Sequence, residues 1–259
     1  MKRERMIPKI PLFNIYLDNI SQEDLLYELS EGVFITPNVD HLMKLQKDRS
    51  FYNIYKRANW VVCDSKIVQL GLRFLGKPVK EVIPGSSFFS AYYQFHKYNE
   101  EVRIFLLGSA EGIAQKAQNE INRKTGRNIV VGAHSPSFGF EKNEHECEEI
   151  LTLINSSGAT ILVVGVGAPK QEKWIFKYKD RLPHVKLFMA LGATIDFEAG
   201  VLQRAPIWMQ KMSLEWAYRL YKEPKRLWKR YMVDDLPFFG LILKEKFGIY
   251  RNPFGGKNE

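Results

Sequence analysis

Six runs of strand length in this chain are apolar from end to end instead of alternating, and that pattern narrows the fold more than any other feature. They occupy residues 32–36, 60–63, 102–108, 128–133, 160–165 and 186–191. A strand with one wet face alternates; a strand covered on both faces does not, and double covering is the habit of parallel sheets flanked by helices. Helical patterns fill the intervals, near 41–56, 65–75, 111–124, 141–156 and 170–179. This alternation predicts an α/β, Rossmann-like architecture with a mostly parallel sheet between helical layers. A further helix is expected to start at Ser21, where Ser-Gln-Glu-Asp has the form of a capping box with Asp as its last member.

Past Gly192 the texture changes. Residues 204–231 read RAPIWMQKMSLEWAYRLYKEPKRLWKRY, with no strand signal. Trp208, Met212, Trp216 and Leu220 recur at four-residue steps, an apolar helical stripe, and Pro224 suits the first turn of a second helix. Eight Lys/Arg face only Glu215 and Glu223 here, so the segment carries net +6 of the chain's +9. The expected organisation is an α/β core over 1–203 and a helical, basic C-terminal appendage over 204–259. Because every core strand precedes Arg204, the core is expected to fold without the appendage.

The positive balance points to anionic partners: nucleic acid, phosphorylated ligands or an acidic membrane surface. No nucleic-acid-binding module is recognisable, so nucleic acid is not expected. Cys63 and Cys147 lie far apart without metal spacing, and Cys63 sits inside an apolar run, which reads as a buried thiol in a reducing compartment. The opening MKRERMIPKIPLF has no apolar stretch of signal-peptide type, and no run approaches the ~20 apolar residues of a spanning helix. The expected protein is soluble or rests on a membrane surface.

Ligands of open parallel sheets bind beyond the carboxyl ends of the strands. Three such ends carry polar clusters: Thr36-Pro37-Asn38-Val39-Asp40-His41, Asp64-Ser65, and Gly165-Val166-Gly167-Ala168-Pro169-Lys170-Gln171. For Asp64, a helix cap and an acid/base role stand about even, since Asp is a favoured capping residue. The GVGAPKQEKW turn offers backbone N–H groups to a phosphate, with Lys170 beside them. Tight packing explains its glycines equally well, as it does Gly108 in FLLGSAEG, and the third glycine of a dinucleotide fingerprint is missing. His41 reads as a helix-opening residue. The five histidines are scattered, no Cys-x-x-Cys occurs, and no Asp-x-Asp ends a strand, so no metal is expected. Asp234-Asp235 reads as a solvated loop.

In the appendage, Arg219, Lys222, Arg226 and Lys229/Arg230 follow at three- and four-residue steps, interleaved with Trp216, Tyr218, Tyr221, Trp228 and Tyr231. A solvated face is the plain reading. Cations among interfacial aromatics also suit phosphates at a bilayer surface. The run LPFFGLIL at 236–243 is too short to span but long enough to dip into an interface.

Taken together, TPNVDH, the Asp64 tip, LLG, VVGVGAPKQEKWI, ALGATIDFEAG and the 204–231 string resemble the WecG/TagA/CpsF glycosyltransferase family, over roughly 33–231. The resemblance implies a nucleotide-sugar cleft in the core. The reaction it implies is inverting transfer of a sugar from a UDP-sugar to a polyprenyl-diphosphate-linked sugar, without metal or cofactor, on the cytoplasmic face of the plasma membrane. In the best-known branch the product is a β-linked N-acetylmannosamine-type residue of wall teichoic acid or enterobacterial common antigen. It further implies that Asp64 is the catalytic base, that Thr36, Asn38 and Gln171 belong to the substrate site, and that Arg219, Arg226 and Arg230 meet the lipid diphosphate at an anionic membrane surface. Asp40, Gly165, Gly167 and Lys170, from the same strand-tip clusters, complete the expected substrate site.

An inverting transfer needs a base for the acceptor hydroxyl and cations for the departing diphosphate, and these residue types supply both. Three positions depart from the family pattern: Ser65 stands for Gly, Val82 for Arg and Ser87 for Asp. UDP-glucose or UDP-N-acetylglucosamine, for an exopolysaccharide or capsule, therefore stay as alternative donors, and homo-oligomerisation stays open. A Rossmann-type oxidoreductase is the alternative of another class; the absent Gly-x-Gly-x-x-Gly counts against it.

Overall fold

The computed structural model describes residues 7–206, 208–209 and 215–255, the side chains of Glu215 and Arg226 excepted. Met212 of the apolar stripe and the Arg226 side chain thus lie outside the described residues.

All six apolar runs form strands of one sheet: β3 Gly32–Ile35, β4 Trp60–Val61, β5 Ile104–Gly108, β6 Val130–His134, β7 Ile161–Gly165 and β8 Leu187–Ala190. Their order is β4-β3-β8-β7-β5-β6, and every pairing is parallel. The sheet is preceded by a small antiparallel hairpin, β1 Lys9–Leu12 and β2 Ile15–Asp18, outside the six apolar runs. Its Ile10, Leu12, Ile15 and Leu17 are buried while Lys9, Pro11 and Tyr16 between them are exposed, a period of two hidden in the basic start of the chain. Asp18, at its end, accepts the Val61 N–H at 2.7 Å and so closes the short edge strand β4.

Helices cover both faces. On one lie α2 Val39–Lys44, α3 Arg49–Arg57, α4 Lys66–Phe74, α7 Glu144–Ser157 and α8 Lys170–Tyr178; on the other, α1 Gln22–Glu28, α5 Gly85–Phe95, α6 Ile113–Thr125 and α9 Thr194–Glu198. Ser21 caps α1 as expected, its hydroxyl accepting the Asp24 N–H. The helix expected over 41–56 is two helices, because Asp48 caps a new one by accepting the Phe51 N–H at 3.0 Å. Helix α5 fills an interval for which the sequence pattern predicts no element. It begins at Gly85, where a Cβ would lie 2.7 Å from Leu191 and 2.9 Å from Thr36 Oγ1, so glycine lets the helix end close on the strand tips.

After β8 come the helices Glu215–Lys222 and Pro224–Lys229, a π-turn at Arg230–Asp234, and the helix Pro237–Lys246. This last helix returns to the core. Phe238 and Ile242 are buried against Gly71 of α4, Tyr250 donates to Gln46, and Asn252 donates to Tyr52. The 236–243 run therefore divides its apolar residues: Phe238 and Ile242 fill the core, while Leu236, Phe239 and Leu243 stay exposed. Among the described residues no helix is long and apolar enough to cross a membrane.

Candidate functional site

Along the carboxyl edge of the sheet runs a cavity of about 1470 Å³. Its floor is made where strand ends meet backbone to backbone. A Cβ on Gly108 would lie 2.5 Å from the Gly165 carbonyl oxygen, and one on Gly165 would lie 2.7 Å from that of Gly192. Close packing is thus the local reason for Gly165, and the same packing leaves an open shelf above it. Gly167 is glycine for another reason, a left-handed φ of +87° in the turn before α8.

The cavity is lined by Thr36, Asn38, Asp40, Asp64, Gly165, Gly167, Lys170, Gln171, Arg219 and Arg230, so the structure brings together nearly all residues singled out in the sequence. The Arg226 side chain is the exception, lying outside the described residues.

Asp64 is half-buried at the tip of β4, and the cap of the helix that follows is Ser65. Asp64 caps a different helix: its Oδ1 accepts the Gly85 N–H at 2.7 Å, at the start of α5. A carboxylate has lone pairs on both oxygens, so this anchor fixes the direction of the group without using its whole accepting capacity. Thr36 is buried beside the same Gly85.

Asn38 caps α2, its Oδ1 accepting the His41 N–H at 3.2 Å. Asp40, in the first turn of α2, pairs with Lys44 at 2.7 Å, and Lys44 also donates to the Ala168 carbonyl at 2.9 Å. That tie holds the β3 tip to the β7–α8 turn, where the Ala168–Pro169 bond is cis. His41 is a core residue: it is buried, its Nδ1 is 2.7 Å from the Tyr55 hydroxyl, and burial pushes its pKa down to about 3. Burial keeps it neutral at ordinary pH.

The Gln171 amide is used at both ends. Its Oε1 accepts the Gly167 N–H at 3.1 Å, and its Nε2 donates to Glu172 Oε1 at 2.8 Å. Gln171 therefore braces the turn, and Gly167 spends its N–H on that brace instead of on an anion. Glu172 is wholly buried, and loss of solvation pushes its carboxyl up to about 7. Lys170 lies 3.1 Å from Glu141 and over the ring of Phe138.

The C-terminal segment supplies the opposite wall. Arg230 donates from Nη2 to Asn38 Oδ1 at 3.3 Å and lies 3.9 Å from Asp40 and 3.7 Å from Asp235. Asp235 is thereby corrected from a solvated loop residue: it is buried, and desolvation raises its carboxyl to about 6 against the pull of Arg230. Arg204, Asp196, Glu223 and the 136–141 loop also line the cavity and were missed in the sequence. Arg204 donates to Ser87 at 2.9 Å, one of the positions departing from the family pattern, and Val82, another, lines the same space. Asp196 follows the tip of β8 and was legible by its strand-end position; the 136–141 loop carries no such signal. Among the described residues no group of three His, Cys, Asp or Glu is arranged to hold a metal ion.

Comparison with known proteins gives consistent matches. The model of the Glycosyl transferase WecG/TagA/CpsF family matches residues 10–252. An N-acetylglucosaminyldiphosphoundecaprenol N-acetyl-beta-D-mannosaminyltransferase of Bacillus subtilis (strain 168) is 26% identical over 216 residues, 83% of this chain and 80% of its own. The protein of the same description from Staphylococcus aureus (strain MRSA252) is 24% identical over 240 residues, 89% of this chain and 90% of its own.

Proposed function

This chain belongs to the WecG/TagA/CpsF family of glycosyltransferases, and from that premise we propose that it moves an N-acetylmannosamine-type sugar from a UDP-sugar to a polyprenyl-diphosphate-linked N-acetylglucosamine, with inversion. The acceptor and sugar are those in the names of its relatives. The observation that carries the reading is the convergence of Asp64 and the cations Arg204, Arg219 and Arg230 on one cavity at the carboxyl edge of the sheet.

Asp64, held by Gly85, takes the proton of the acceptor hydroxyl as that oxygen bonds to the anomeric carbon. The bond from the anomeric carbon to the diphosphate oxygen breaks on the opposite side, and the electron pair leaves with UDP. Negative charge grows on that oxygen, and Lys170 with the arginines lowers its cost electrostatically. Gln171 and Lys44 keep the two turns in register through Gly167 and Ala168. The acceptor diphosphate meets Arg219 and Arg230, with its lipid in the cytoplasmic leaflet and the basic C-terminal face against anionic headgroups.

The test supplies purified protein with N-acetylglucosaminyl diphospholipid in vesicles and UDP-N-acetylmannosamine, UDP-N-acetylglucosamine or UDP-glucose in parallel. UDP release and a disaccharide-lipid product are expected with the first donor above the others. Product from UDP-glucose alone would assign the Val82 and Ser87 departures to donor choice, and no product from any of the three would end the reading.

A further inference from the structure

Gln171 and Glu172 are consecutive residues of α8, and both are buried, at 1% and 0% exposure. Polar groups go inside only with partners, so the bonds made here carry information. Gln171 Oε1 accepts the Gly167 N–H at 3.1 Å, and its Nε2 donates to Glu172 Oε1 at 2.8 Å. The two ends of an amide have nearly the same shape, and only their partners decide which way the group lies. The Gly167 N–H calls for the carbonyl end, and Glu172 Oε1 calls for the NH₂ end. Glu172 thereby fixes the sense of the Gln171 amide, and the amide fixes the turn that carries Gly167 and Lys170 to the cavity.

The other oxygen of Glu172 has no such task. Oε2 is buried without a hydrogen-bond partner among the described residues. The strands β7 and β8 beside α8 hold no titratable side chain. The groups that act on Glu172 are Lys44 and Asp40 of α2 and Tyr55 of α3, whose hydroxyl meets His41. Arg230 and Asp235 reach this set through Asp40, and Lys173, next on α8, is taken by Asp48 at 2.6 Å. Lys44 is the cation that acts on Glu172, and it is already shared between Asp40 at 2.7 Å and the Ala168 carbonyl at 2.9 Å. An ionised Glu172 would draw Lys44 from Ala168 and loosen the same turn from its other side. The neutral acid leaves both ties in place.

We propose that Glu172, in its neutral form, is a positioning residue for glycosyl transfer: through Gln171 it holds the Gly167–Lys170 turn where Lys170 meets the departing diphosphate. The assignment rests on the glycosyl-transfer reading. It adds to that reading an acid that does not itself line the cavity.

The test follows UDP release from UDP-N-acetylmannosamine, with N-acetylglucosaminyl diphospholipid in vesicles, in wild type, Glu172→Ala, Glu172→Gln, Gln171→Ala and the double alanine variant. Glu172→Ala should lower kcat about 100-fold, the scale that a misplaced group costs, with KM for the donor changed less. Glu172→Gln has the shape and the donor–acceptor pattern of the neutral acid and should restore kcat. In the Gln171→Ala background, Glu172→Ala should cost little more, because an effect passed through Gln171 has nothing left to act on. Wild-type kcat should fall as pH rises through about 7, and Glu172→Gln should lack that fall. Full kcat in Glu172→Ala while wild type transfers overturns the positioning role and leaves the glycosyl-transfer reading standing. Additive losses in the double variant, or the same alkaline fall in Glu172→Gln, also overturn it. Should Glu172→Ala fail to fold, the pH profile of Glu172→Gln decides. A wild type that transfers from no UDP-sugar overturns both.

Discussion

Arg230 Nη2 donates to Asn38 Oδ1 across 192 residues of chain, at 3.3 Å. The same oxygen takes the His41 N–H, so one side chain both caps α2 and receives the basic segment. The arginine stripe is thus not wholly a solvated face. One of its members is built into the wall of the cavity, with Asp40 and Asp235 on either side.

Asp64→Asn separates a catalytic carboxylate from a capping one. An asparagine carbonyl can still accept the Gly85 N–H, so fold and UDP binding should survive while turnover falls by about 10²–10⁴. Asp64→Ala should additionally lose the anchor of α5, at about 1 kcal/mol. Near-normal kcat in Asp64→Asn would return this residue to a purely structural role.

Replacing Arg219, Arg226 and Arg230 together should depress lipid-acceptor turnover more than UDP-sugar binding. Each charge near an anionic leaflet contributes roughly 1 kcal/mol, so co-sedimentation with anionic vesicles should weaken strongly. Arg230→Ala alone should also loosen the wall, because it leaves Asp40 and Asp235 without that cation. Wild-type vesicle binding and acceptor kinetics in the triple variant would sink the membrane-facing assignment.

Activity is expected to persist in excess EDTA. The departing diphosphate has Lys170 and the arginines nearby, and the described residues offer no cluster of metal-ligand type. Loss of turnover that Mg²⁺ or Mn²⁺ restores would contradict this.

Cutting the chain before Arg204 now carries a different expectation from the one the strand count suggested. The cut removes Phe238 and Ile242, which are buried against α4. The shortened protein should be destabilised and aggregation-prone, and Phe238→Ala in the full chain should cost about 3–5 kcal/mol in urea denaturation. A truncated protein as stable as the full chain would show that this helix is dispensable.

Glu172 should give stability a pH dependence of known sign. Its folded-state carboxyl, raised by burial to about 7 from 4.5, keeps a proton the unfolded chain has lost. Stability it contributes is present at low pH and is lost as pH rises through 4.5 to 7. The groups near it are Gln171, Lys44, Asp40 and Tyr55. Glu172→Gln lacks the titration, so its unfolding free energy relative to wild type should climb between pH 5 and pH 8. A difference that stays flat over that range would mean Glu172 ionises normally.

Much of this protein was legible from local pattern. Burial on both faces imprints an unbroken apolar run on each strand, so all six strands of the sheet could be read where they lie. Strand-tip polarity marked Thr36, Asn38, Asp64 and Gln171, and the motifs around them carried the family. Tertiary structure alone decided what those residues touch. Periodicity reports how a residue faces within its own element, while partners are chosen by packing between distant segments. The order β4-β3-β8-β7-β5-β6 sets Phe138 and Asp64 at opposite ends of one cavity. Gly85, 21 residues away, claims an oxygen of Asp64. The returning helix buries Phe238, and the turn before it buries Asp235 beside Arg230, a charge that nothing in an Asp-Asp pair announces.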